Sequence, residues 1–113
     1  MKFFEFVNNA SIREFKKLPV DIQKQFLTSI NAVAQEQESL TEYSHINDSI
    51  GKGAIELKVN GSPAYRSIYC AKFNNTVYIL HSFVKTTNGV DKKAMNTSKM
   101  RYKAMIDKVK DKK

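Results

Sequence analysis

An α+β domain is the fold class this sequence predicts, and three features predict it. Apolar residues recur at helical spacing between Ile22 and Ala34. Three apolar runs lie between Ala54 and Lys85, separated by two tight turns. A basic amphipathic segment follows Asp91. Together they predict an N-terminal helical hairpin packed on a twisted antiparallel β-sheet of three to four strands, with a C-terminal helix. The whole of residues 1–113 reads as one domain, since a chain of this length supports a single modest core.

Lys2 to Val7 is short and aromatic, an edge-strand candidate. Asn8, Asn9 and Ser11 offer N-caps for a helix running to about Leu18, with Ile12, Phe15 and Leu18 on one face. Leu18-Pro19 breaks it, and Pro19 suits the first turn of a second helix. Ile22, Phe26, Ile30, Val33 and Ala34 then trace one apolar stripe. Residues 40–53 are polar and carry Gly51 and Gly53, which reads as a loop. The "GKG" there lacks the glycine spacing and the Lys-Ser/Thr of a phosphate loop.

Ala54 to Asn60 alternates, with Ile55, Leu57 and Val59 on one face and Glu56 and Lys58 on the other. Asn60 to Pro63 is a turn, Ala64 to Phe73 a second run, Asn74-Asn75 a second turn, and Val77 to Lys85 a third run. Two consecutive tight connections imply an antiparallel meander. Its last two strands are apolar on both faces, so both faces need cover. From about Asp91, Met95, Ser98, Tyr102, Met105, Ile106 and Val109 trace the inner stripe of a lysine-rich helix, with "KDKK" expected to fray at its end.

Hydrophobic residues make up 42% of the chain and charged ones 27%, a balance that folds. The net charge of +8 is uneven: residues 85–113 hold ten Lys/Arg against three Asp/Glu, a local +7, whereas residues 1–50 sum to −2. Such a field attracts polyanions or acidic partners, although a solvated lysine surface has the same composition. The single cysteine, Cys70, excludes an internal disulfide, makes a cysteine-based zinc site implausible and reads as a small core residue. No apolar run approaches the roughly 20 residues of a membrane span. Glu5 interrupts the opening "MKFFEFVNNAS", which is too short for a signal peptide. A cytoplasmic location, with no membrane partner, is the expectation.

Polar exceptions to the strand pattern mark the chemistry. Lys58, Arg66, His81 and Lys85 lie on three successive strands, with His81 and Lys85 in phase with Val77, Ile79 and Phe83. A meander can gather all four on one concave face. His81 is the one member of that set that exchanges protons near neutral pH, though its place between Leu80 and Ser82 also fits a hydrogen-bonded core histidine. Nothing in the spacing pairs Cys70 with His45 or His81. A cationic cluster suits phosphate chemistry, and RNA supplies its own nucleophile, the 2′-OH. Cleavage then needs alignment, a base, positive charge on the phosphorane and an acid. Arg66 suits the phosphorane, while Lys58, Lys85 and His81 are candidate proton carriers. Tyr65, Tyr69, Tyr78 and Tyr102 read as packing. From the residues alone the reading reaches a small basic α+β domain able to bind RNA.

The order of motifs adds to this. Glu56-Leu57-Lys58, Tyr65-Arg66-Ser67-Ile68-Tyr69, Leu80-His81-Ser82-Phe83-Val84-Lys85 and Arg101-Tyr102, with an early "FKKLP" at Phe15 to Pro19, resemble the HigB-like, phage-derived branch of the RelE/ParE toxin superfamily. That resemblance covers nearly the whole chain. It implies a RelE-like fold and a type II toxin that cuts mRNA in the ribosomal A site without cofactor or metal. A small cognate antitoxin would neutralise it. Lys58, Arg66, Lys85 and His81 would be catalytic, and Lys52, Lys92, Lys93, Lys99, Arg101 and Lys103 would hold mRNA and 16S rRNA. Two departures stand out: Lys58 replaces the arginine of many members, and their Lys-Lys pair becomes Lys85-Thr86. ParE relatives share the fold and poison DNA gyrase, so the alternative is a non-catalytic toxin or a basic RNA-binding module.

Overall fold

The computed structural model describes residues 1–111; Lys112 and Lys113, in the tail expected to fray, lie outside them. The chain runs β1 (Phe3–Phe6), α1 (Asn9–Lys16), α2 (Val20–Ala34), β2 (Glu42–His45), β3 (Ala54–Val59), β4 (Ala64–Phe73), β5 (Thr76–Lys85) and α3 (Lys92–Asp111). The class is α+β, as expected. The sheet differs from expectation: it has five strands in the order β1-β5-β4-β3-β2 and is mixed, because β1 pairs parallel to β5. A strand therefore precedes the helical hairpin, and its parallel neighbour β5 is reached only after α1, α2, β2, β3 and β4, so no tight turn joins the pair.

α1 starts where it does because Asn8 and Ser11 cap each other's backbone: Asn8 Oδ1 accepts from Ser11 N at 3.0 Å, and Ser11 Oγ accepts from Asn8 N at 3.2 Å. The helix stops at Lys16, ahead of Leu18, and Pro19 stands at the N-cap of α2, one residue before its first turn. α2 buries Ile22, Phe26, Ile30 and Ala34 against Ile55, Leu57, Tyr69, Val77 and Ile79 on one sheet face. α3 covers the other face, setting Met105 and Val109 against Ala54, Ile68, Cys70, Tyr78 and Leu80. Burying side chains of this size contributes about 1.5–3 kcal/mol each. Cys70 is wholly buried, as are the rings of Tyr78 and nearly that of Tyr69.

β2 corrects the sequence reading, which placed Glu42–His45 in a loop. Its sequence, EYSH, has too little apolar character to signal a strand, and only its pairing with β3 (Tyr43 opposite Leu57) makes it one. The β4–β5 turn follows its residues closely. Asn74 and Asn75 both take positive φ, 53° and 52°, which a two-residue hairpin of this hand requires and asparagine tolerates.

β5 holds the correction that matters most for the site. Ile68 pairs with His81 and Tyr69 with Ile79, so Leu80 is an extra residue opposite no partner, a β-bulge. Simple alternation would put His81 and Phe83 with Val77 and Ile79, inside the α1–α2 core. The bulge resets the phase. Val77 and Ile79 stay in that core, whereas Phe83 packs in the α3-side cluster and His81 lies across from Ile68 of the same cluster.

Candidate functional site

The α3-side face carries the site. Cross-strand partners share a face, so the register assembles Glu42, Lys58, Arg66 and Phe83 in one row across β2 to β5. The neighbouring row is Ser44, Glu56, Ile68 and His81. Lys85 lies across from Ala64 and shares its face with His81 and Phe83, two residues apart along β5. Lys58 is directly opposite Arg66, with Glu42 on its other side.

Arg66 is only 6% exposed, and its guanidinium donates to the Tyr65 carbonyl at 3.0 Å. Among the described residues no carboxylate pairs with it. It lines a polar cleft of about 310 Å³ with Lys85, the Gly61–Ala64 turn and the Thr86–Gly89 segment. Lys85 and Gly89 also border a cleft of about 230 Å³ with Glu56, Phe83 and Asp91. Phe83 and Asp91 in turn border a third, about 400 Å³, lined by Glu14, His81, Lys93 and Arg101. The clefts adjoin, neighbours sharing lining residues, and together make a groove around the loop between β5 and α3. His81 and Lys85 are separated by four residues of strand, roughly 13 Å, so they occupy its two ends.

At the His81 end, three elements meet. Glu14 of α1 is hydrogen-bonded to His81 Nδ1 at 2.7 Å and accepts from both terminal nitrogens of Arg101, at 2.9 and 2.7 Å. Arg101 also donates to the Leu80 carbonyl at 3.1 Å. The imidazole stacks on the Phe83 ring, centroids 5.0 Å apart at 21°. Burial pushes the Glu14 carboxyl up, but hydrogen bonds and charge from Arg101 and His81 outweigh it and hold the group below the usual carboxylate range.

Residues 13–103 match the family described as phage-derived protein Gp49-like (DUF891). The chain belongs to the phage-derived Gp49-like family. That family is RelE-like and toxin-like, and the matched segment contains the entire groove. No curated protein matches the chain.

In this Gp49-like protein, then, Lys58 stands opposite Arg66 across β3 and β4, Arg66 and Lys85 line one cleft, and His81 lines another at the other end of the groove. Lys52, Lys92, Lys93, Lys99 and Lys103 are exposed, and Lys93 borders the His81 cleft. Arg101 differs from these lysines: its side chain is 14% exposed and committed to Glu14. Sequence reasoning missed Glu14 and Phe83. Phe83 reads as one more strand hydrophobe. Glu14 sits on the exposed-looking side of a short helix, 67 residues before His81, and nothing local ties the two together. Among the described residues no three His, Cys, Asp or Glu side chains group as metal ligands, and no helix is long and apolar enough to cross a membrane.

Proposed function

We propose that this chain is the toxin of a type II toxin–antitoxin pair, of the HigB-like branch, acting as a ribosome-dependent, metal-independent mRNA endonuclease. The observation that carries the reading is Arg66. A guanidinium this buried normally has an anionic partner, because an unpaired charge away from water is costly. Here its one bond is to a neutral carbonyl, beside Lys85, on the wall of an open polar cleft. A scissile phosphate supplies the missing anion, held by two of the fork's donors.

The chemistry is an in-line transfer. The 2′-oxygen bonds to phosphorus as the P–O5′ bond breaks. The 2′-OH proton passes to a base, and an acid returns one to the 5′-oxygen. Arg66 bears the charge of the phosphorane, with Lys58 reinforcing it from the adjacent strand. Lys85 and His81 carry the protons from the two ends of the groove. The exposed lysines of α3, with Lys52, hold mRNA and 16S rRNA, and a cognate antitoxin blocks this basic face.

Brief induction followed by primer extension on cellular mRNA tests the reading. Cuts within translated codons are expected. Arg66→Ala and Lys85→Ala should relieve growth arrest while the protein stays folded. Intact mRNA accompanied by DNA damage would replace this reading with gyrase poisoning, and full toxicity of both variants would reject the assigned site.

A further inference from the structure

We infer that Glu14 is a positioning residue, holding His81 as the tautomer protonated on Nδ1 so that Nε2 is the bare nitrogen presented to the groove. The inference rests on the ribonuclease reading only for the use made of that nitrogen.

The geometry leaves little choice of tautomer. An ionised carboxylate can only accept hydrogen bonds, and Glu14 already receives two from Arg101. At 2.7 Å from Glu14 Oε1, His81 Nδ1 must therefore be a donor. A neutral imidazole carries one proton, so Nε2 has the lone pair. Nε2 makes no hydrogen bond among the described residues, and the ring borders the 400 Å³ cleft. This is the tautomer that a free imidazole in water disfavours, so Glu14 is what selects it.

Orientation is fixed along with protonation. The Phe83 ring stacked on the imidazole sets its plane. Arg101 grips both carboxylate oxygens, so Glu14 cannot swing away without breaking two further bonds. The charged groups around the imidazole are Glu14 from α1, Arg101 and Lys93 from α3, and Asp91 just ahead of that helix. In a carboxylate–imidazole pair of this kind, the remote carboxylate sets the direction of proton transfer and never touches the substrate. For this protein Nε2 becomes a proton acceptor ready for the 2′-OH, and after the first transfer a donor.

Long-range proton–nitrogen correlation spectra of uniformly ¹⁵N-labelled protein test the tautomer directly, at a pH where the spectrum shows a neutral ring. The sequence has two histidines, so His45→Gln on the exposed β2 strand isolates the His81 signals without touching the site. The expected pattern is Nδ1 protonated and Nε2 bare. A ring protonated on Nε2 in the wild-type protein overturns the inference, whether or not any Glu14 variant folds. In folded Glu14→Ala the signals should move toward the Nε2-protonated form. Single-turnover cleavage on programmed ribosomes should fall at least about tenfold, a part of the roughly 10²- to 10⁴-fold that a general acid or base supplies, and its pH profile should shift. Unchanged tautomer and unchanged pH profile in that variant would also overturn it. The spectra need no RNA, so failure of the wild-type protein to cleave mRNA strikes the proposed function and leaves the tautomer result to be judged separately.

Discussion

Arg101→Met removes the charge that joins α3 to α1 while keeping most of the side chain's apolar stem. Lost are the two bonds to Glu14, at 2.9 and 2.7 Å, and the bond to the Leu80 carbonyl, at 3.1 Å. Breaking a buried ion pair from one side costs about 3–5 kcal/mol, chiefly by stranding the other charge. Glu14 is 24% exposed and keeps His81, so part of that penalty is relieved by water and by the imidazole. About 2–3 kcal/mol at neutral pH is the expected loss, a substantial share of the 5–15 kcal/mol that holds a typical domain together.

The pH dependence separates this pair from mere packing. The folded-state carboxyl of Glu14 titrates below its ordinary value of 4.5. Its contribution is therefore complete above that value and disappears as pH falls through the folded-state value. Urea unfolding followed by far-ultraviolet circular dichroism, at pH 7 and again near pH 3, should show the gap between wild type and variant narrowing in acid. A gap that is the same at both pH values would mean that the loss comes from the bond to the Leu80 carbonyl and not from the ion pair. A gap under about 0.5 kcal/mol at pH 7, the level of an ordinary surface substitution, would mean that the ion pair is solvated and idle.

Cys70 should resist thiol reagents in native buffer and react fully in denaturant, because burial pushes its thiol up and its Sγ donates to the Lys52 carbonyl at 3.6 Å; rapid native labelling seen by mass spectrometry would contradict that environment. Gly51→Ala should cost about 1–3 kcal/mol. Its added Cβ would stand 2.5 Å from two carbons of the Tyr102 ring, which is itself held by a 2.8 Å bond from its hydroxyl to the Lys52 carbonyl; an unchanged urea midpoint would show that the ring yields freely. RNA binding should weaken steeply with salt, log affinity falling by about 0.7 per log unit of salt for each phosphate contacted. Affinity indifferent to salt would remove the exposed lysines of α3 from the interface.

Much of the fold is legible because its signals are local. The stripe from Ile22 to Ala34 and the asparagine turn at Asn74-Asn75 each report on their own neighbourhood, and α2 and the β4–β5 hairpin form where those signals lie. β2 is illegible because its strand character comes from β3, which lies beside it in space and well after it in sequence. The site divides along the same line. Alternation within β3 and β4 correctly puts Lys58 and Arg66 on one face. For His81 alternation fails, since one inserted residue reverses every assignment beyond it. Nothing in "YILHSF" marks Leu80 as that residue. Glu14 was out of reach for a different reason: its partners come from β5 and α3, and only tertiary packing brings the three together.

The position of the bulge explains why the His81 cleft can exist at all. β1 pairs with β5 only from Thr76 to Ile79, and Val7 N closes that ladder on the Ile79 carbonyl at 3.0 Å. The very next residue is Leu80. β5 therefore loses its parallel neighbour and gains its extra residue at the same point. Along the stretch that follows, α1 replaces β1 beside β5, which brings Glu14 within reach of His81. The bulged Leu80 lacks a partner on β4, yet a buried carbonyl still needs a donor, and Arg101 supplies it while holding Glu14 with its other contacts. One irregularity thus turns His81 out of the hydrophobic core and creates the acceptor that anchors Arg101, which in turn fixes the carboxylate behind the imidazole. A regular strand through Leu80 would undo all three, with His81 returned to the α1–α2 face and the groove left with its Arg66–Lys85 end alone.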